Sequence, residues 1–232
     1  MKIMLISYPV RPEVSVRSHP PSISWSSSLR PDLFHLLSVH HSDSILWAGC
    51  SDGLVSFREG RRTCHLPGKM LSITSQGTAL YTLRYSAAYY LTRWETLFYP
   101  TVFRLWEEKV EASLHLASAG EKLVLGHNDH LGVYSCDSGQ QLSQITCPGV
   151  SRYSRLCGVK GRAVLARVKK RLMLVSLGNQ QEQPILFYEC EEEIHALCTD
   201  DTGDRVFIAT NETKTIDVIN LSGKTVWRAR IG

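Results

Sequence analysis

His127-Asn128-Asp129-His130 is the densest cluster of ligand-type side chains in the chain, and His40-His41 is the next. Two imidazoles three residues apart in a loop can hold zinc. A site needs a third donor, however, and none stands at a recognisable spacing, while turn chemistry alone accounts for Asn and Asp in such a stretch. No metal and no cofactor is therefore expected. Catalytic patterns are missing as well: there is no G-x-S-x-G elbow, no H-E-x-x-H and no Gly-rich phosphate loop. No catalytic residue is assigned.

Charge offers a second kind of chemistry. From Arg152 to Arg171 the chain carries eight basic residues (Arg152, Arg155, Lys160, Arg162, Arg167, Lys169, Lys170 and Arg171) and no acidic one, and Glu189, Glu191, Glu192 and Glu193 follow. Such a stripe could neutralise phosphates, with Arg152, Arg155, Arg162 and Arg167 on the backbone of an RNA and Tyr153 stacking on a base. The plainer reading is that basic residues of solvated strands face the acidic segment across a junction. A net charge of +4 does not by itself imply a nucleic-acid binder.

These residues sit in a repeating frame. Gly77, Gly120, Gly161 and Gly203 fall 43, 41 and 42 residues apart, each in a short polar turn that leads into an apolar run such as Leu123-Val124-Leu125 or Val206-Phe207-Ile208. A second run follows the last three after another polar connection, Gly132 to Ser135, Leu172 to Val175 and Ile216 to Ile219, and Leu54 to Phe57 after Ser51-Asp52-Gly53 is a run of the same kind. Short β-branched and aromatic runs bounded by Gly, Asn, Asp and Ser are hairpins, and a period near forty residues with several strands per period marks a β-propeller. The expected class is all-β, with about five four-stranded blades over 33-66, 67-105, 109-147, 149-190 and 191-232, or an incomplete six- or seven-bladed ring. Residues 1-32 hold two strand-like runs and a Pro/Ser-rich connector, Ser18 to Pro31. They read as part of a closing blade, unless the chain is one domain of a longer protein.

Within this frame Gly132-Val133-Tyr134-Ser135-Cys136-Asp137-Ser138-Gly139 resembles the outer strands of a WD40 repeat, with Tyr134 where that family usually has Trp. Ile216 to Lys224 is similar to the hairpin that ends an NHL or WD40 blade. No blade carries an adjacent Trp-Asp pair or a Gly-His opening, so the family's Asp-His network does not transfer to these residues. The resemblance implies a propeller that binds through its loops. In that class the loops joining second to third strands and those joining successive blades emerge on one face. This would gather Asp52, His127, Asp129, His130, Lys169, Lys170, Arg171, Glu191 and Glu192, together with an interblade segment Trp106 to Lys109.

Composition supports a folded domain: 232 residues, 43% hydrophobic and 21% charged. No apolar run approaches the ~20 residues that span a membrane. Seven cysteines at 50, 64, 136, 147, 157, 190 and 198, odd in number and without C-x-x-C spacing, read as buried thiols of a reducing compartment, the cytoplasm with the nucleus not excluded. Nine of the twenty aromatics lie between Tyr81 and Trp106, where Tyr81, Tyr85 and Tyr89 would also suit a helical face.

The reading that results is a non-catalytic propeller that recruits a protein partner through its loop face. Lys169, Lys170, Arg171, His127, Asp129, His130, Glu191 and Glu192 carry the contacts, and Trp106 is either an anchor or buried between blades. An RNA-binding propeller using the 152-171 stripe is the alternative, and a propeller hydrolase a lesser one.

Overall fold

The computed structural model describes residues 36-230 apart from 43, 60, 160-162, 179-182 and 201. The expected N-terminal strands and connector of 1-32, and Lys160, Gly161 and Arg162 of the basic stripe, lie outside the described residues.

Each repeat closes as one antiparallel four-stranded sheet whose strands pair in chain order. Blade 1 contains β1 (Leu36–Ser42), β2 (Ile45–Cys50), β3 (Gly53–Arg58) and β4 (Arg61–Pro67). Blade 2 contains β5 (Lys69–Gln76), β6 (Ala79–Ser86), β7 (Ala88–Glu95) and β8 (Phe103–Val110). Blade 3 follows with β9 (Leu116–Ala119), β10 (Lys122–Gly126), β11 (His130–Ser135) and β12 (Gln141–Thr146). Blade 4 has β13 (Leu156–Val159), β14 (Ala163–Val168), β15 (Arg171–Ser176) and β16 (Ile185–Glu189), and blade 5 has β17 (Ile194–Thr199), β18 (Arg205–Thr210), β19 (Thr215–Asn220) and β20 (Thr225–Arg230). The fold is an all-β propeller of five blades, with no helix among the described residues. Tyr81, Tyr85 and Tyr89 lie on the β6–β7 hairpin rather than on a helical face.

The repeat is written in the backbone as well as in the residues. The turn between first and second strands has a left-handed residue at Ser44, Gly77, Gly120 and Gly203, and the turn between second and third strands has one at Ala87, Asp129, Lys169 and Lys214. Every blade also carries a bulge where its third strand meets its fourth, at Leu54/Val55, Arg93/Trp94, Val133/Tyr134, Leu172/Met173 and Val218/Ile219. A bulge adds local twist, and twisted sheets can stand side by side around an axis.

First strands pack in series, β1 against β5, β5 against β9, β9 against β13 and β13 against β17. The apolar core divides along the same seams. Trp47, Leu54, Met70, Leu80 and Trp94 fill the space between blades 1 and 2; Tyr81, Leu83, Leu91, Leu123 and Leu125 fill the next. Val124, Val133, Val164 and Ala166 lie between blades 3 and 4, and Leu165, Leu172, Ile194, Val206 and Ile208 between blades 4 and 5. Burying each such side chain contributes about 1.5–3 kcal/mol, so every blade is held chiefly by its neighbours.

Candidate functional site

The second-to-third-strand turns and the interblade segments meet at one end of the blades and bond to each other. The Asp129 N–H donates to the Val150 carbonyl at 2.8 Å and Cys147 N–H to the Asp129 carbonyl at 2.9 Å, which seats the β10–β11 turn on the segment entering blade 4. One blade on, the Cys190 N–H donates to the Lys170 carbonyl at 2.8 Å. The Glu192 carboxylate accepts the Thr213 N–H of the β18–β19 turn at 3.0 Å. His127, Asp129, His130, Lys169, Lys170, Glu191 and Glu192 therefore share one surface, with Arg171 and Glu189 at its edge as the paired ends of β15 and β16.

Trp106 belongs elsewhere. The segment Trp106 to Lys109 is not an interblade loop but the middle of β8, the outer strand of blade 2. Its indole Nε1 donates to the Cys136 carbonyl at 3.3 Å, and its ring lies against Tyr81 with centroids 6.2 Å apart. The eight-residue strand carries past the boundary expected from the repeat because it pairs with the equally long β7 along its whole length. Trp106 is packing between blades 2 and 3, and the β8–β9 connection begins at Glu111.

The basic stripe is largely met by carboxylates and carbonyls. Arg171 Nε donates to Glu189 at 2.9 Å, Lys170 Nζ to the Glu191 carbonyl at 2.5 Å, and Arg167 Nη1 to the Ile194 carbonyl at 2.6 Å while lying 3.5 Å from Glu193. Arg155 lies with Nη1 3.4 Å from His115 Nδ1. Burial, then the Arg155 and Arg167 charges, push the His115 pKa down to about 3, so it stays neutral. Burial, and then Arg167, lower the Arg155 pKa too. Arg152 lies over the exposed Tyr153 ring at 4.8 Å and donates to its hydroxyl at 2.6 Å. Arg167, Glu193, Ile194, His195, Asn211 and Glu212 line a cleft of about 230 Å³ between the last two blades.

At the junction of blades 2 and 3 the same surface is built differently. The turn that opens β11 closes with the His127 N–H donating to the His130 carbonyl at 3.0 Å, and left-handed Asp129 (φ 60°) holds it. The two imidazoles consequently face each other with centroids 5.0 Å apart. Glu111, sixteen residues before His127, brings its carboxylate to 3.8 Å from His127 Nδ1 and 3.8 Å from His130 Nε2. Burial lowers the His127 pKa against the raising pull of Glu111 and the Ala112 backbone. Asp129 points away, its Oδ1 accepting the Gly149 N–H at 2.8 Å. Glu111 and His115 escape a reading of the sequence because they are single polar residues in the connection before β9. Only the fold gives them company, Glu111 beside the β10–β11 turn and His115 beside Arg155.

No protein-family model matches this sequence. No curated protein matches it significantly. Solved structures share its architecture at low identity. The crystal structure of the RRP9 WD40 repeats superposes with a TM-score of 0.67 at 12% identity, over 85% of this chain and 64% of that one. The structure of U3-55K gives 0.64 at 12% identity over 85% and 65%, and a chain of the mitotic checkpoint complex 0.62 at 9% over 84% and 65%. The chain thus spans just under two thirds of the length of the structures it matches. By fold it is a β-propeller, with five blades among the described residues, similar to solved WD40 propellers.

Proposed function

We propose that the protein is a non-catalytic interaction module that recruits a protein partner through the face carrying the β10–β11, β14–β15 and β18–β19 turns. The observation that carries this reading is the gathering of those turns with the interblade segments into one polar surface of alternating sign. Lys169, exposed at a left-handed turn, stands beside Glu191 to Glu193 and the cleft at Arg167. Mixed charge of this kind favours orientation and on-rate for a partner with complementary charges, rather than the even phosphate pattern of a nucleic acid. The structures similar in fold include the RRP9 WD40 repeats and a chain of a mitotic checkpoint complex, which supports a scaffold role. Free thiols at Cys136, Cys147, Cys157 and Cys190, all buried, suit a reducing compartment such as the cytoplasm or nucleus.

Affinity capture from lysate by the parent chain and by a Lys169→Glu/Lys170→Glu/Arg171→Glu variant, each with and without nuclease, tests the reading. Nuclease-resistant partners captured by the parent and lost by the variant are expected. Capture that disappears on nuclease treatment would move the function to RNA and to Arg152, Tyr153, Arg155 and Arg167. Equal capture by parent and variant would remove these three residues from the binding surface.

A further inference from the structure

The β10–β11 turn holds imidazole nitrogens that the protein leaves without a well-formed hydrogen bond. His127 is buried at 3% relative exposure, and its ring nitrogens have only the Ala112 backbone and the Glu111 carboxylate nearby, neither in good hydrogen-bond geometry; His130 Nε2 likewise has only Glu111, at 3.8 Å. Desolvated ring nitrogens without a good hydrogen bond are unfavourable, so a buried set of them beside a carboxylate calls for an occupant. We propose that Glu111, His127 and His130 form a three-ligand site for a divalent transition-metal ion of the zinc type, with the fourth position open to solvent.

The geometry is close to that of a bound site. The three ligand atoms lie within 4.8 Å of one another, and the carboxylate oxygen is 3.8 Å from each histidine nitrogen. Around a tetrahedral ion with bonds of about 2.0–2.2 Å, neighbouring ligand atoms stand roughly 3.2–3.6 Å apart. Glu111 closes that gap by rotating its own side chain, since it is two-thirds exposed. The tautomer of His130 is already set. Its Nδ1–H donates to the Asn128 carbonyl at 2.9 Å, which leaves a lone pair on Nε2 aimed at Glu111 and supplies the outer hydrogen bond that orients a metal-bound histidine. Gly132 keeps the pocket open on the other side: a Cβ there would stand 2.8 Å from His127 Nε2.

Donor chemistry selects the ion. Two imidazoles and one carboxylate suit zinc and neighbouring first-row ions, while calcium and magnesium ask for six or more oxygens. No thiol belongs to the cluster. An ion here would clip the connection leaving blade 2 to the β10–β11 turn of blade 3, independently of whatever partner the surface binds.

Equilibrium dialysis of the chelator-stripped full chain against Zn²⁺ alone, with melting followed in parallel, tests the site. One ion per chain is expected, with a melting temperature that rises with Zn²⁺ concentration. Glu111→Gln, at an exposed position that leaves the fold intact, should weaken binding by at least about 10- to 100-fold, the loss typical even for outer-sphere partners. His130→Asn should do the same, and the Co²⁺-loaded protein should show no thiolate charge-transfer band. Absence of stoichiometric binding would overturn the site. So would undiminished binding by Glu111→Gln, or a dependence on the exposed Cys198 revealed by Cys198→Ser.

Discussion

The junction of blades 2 and 3 and the junction of blades 4 and 5 occupy equivalent places in the repeat, yet their two ends are solved in opposite ways. At the outer end, the β11–β12 turn rests on a side chain: Gly139 is left-handed (φ 74°), and a Cβ there would meet the Trp106 ring at 2.7 Å. The β19–β20 turn, 84 residues on, rests on backbone instead. Gly223 has the same φ of 74°, and its Cβ would meet the Phe187 carbonyl oxygen at 2.7 Å. At the loop end the later junction answers its charges, Arg167 with Glu193 and Lys170 with the Glu191 carbonyl. The earlier one leaves both ring nitrogens of His127 and the Nε2 of His130 without a well-formed hydrogen bond beside Glu111. One scaffold thus yields a self-neutralising surface at one seam and a set of open donors at another. Surface chemistry in this fold is a property of each seam rather than of the repeat.

The largest effects should be common to both seams. Leu123→Ala between blades 2 and 3 and Leu165→Ala between blades 4 and 5 remove fully buried side chains. Each should cost about 2–5 kcal/mol in chemical denaturation, and a loss at one seam only would show that the blades do not depend equally on their neighbours. The glycines should separate the seams. Gly223→Ala must strain a left-handed residue against an immovable carbonyl, and about 1–3 kcal/mol is expected. Gly139→Ala should cost less because the Trp106 ring can shift. Reversal of that order in thermal melts would break the comparison.

Acid should act chiefly through His115. Its pKa of about 3 in the folded chain lies below the ordinary value of 6.5, so between those values the unfolded chain binds a proton that the folded one refuses. Stability is therefore full above about pH 6.5 and falls as pH drops toward 3, and the lowered pKa values of His65 and His127 act in the same direction. Melting at pH 7.5 and pH 5 should show a smaller drop for His115→Gln than for the parent; an equal drop would assign the acid sensitivity to other groups. Smallest of all should be the change on Arg171→Glu. Arg171 and Glu189 are each at least half exposed, and breaking such a pair costs at most about 1 kcal/mol.

Much of the architecture was legible because turns are local. A left-handed residue between first and second strands favours glycine, so Gly77, Gly120 and Gly203 announce the period, and blade 1 hides from it only because Ser44 takes the same conformation. The continuous burial along β10 and in the middle of β14 follows from the apolar runs themselves. The boundary after blade 2 was not legible, since nothing in Trp106 to Lys109 says that β8 continues to pair with β7 for eight residues. That misplacement grouped Trp106 with the loop residues as a candidate anchor, while its other expected fate, packing between blades, is the one its place on β8 gives it.

The candidate site divides in the same manner. Residue types alone determined that 127-130 is a turn and that 152-171 is basic, because both depend on neighbours a few positions away. Tertiary structure decided that Glu111 meets the two histidines and that Arg167 meets Glu193. Such pairs form across seams between blades, where the angle and spacing of whole sheets, rather than any local preference, set which connection lies beside which turn.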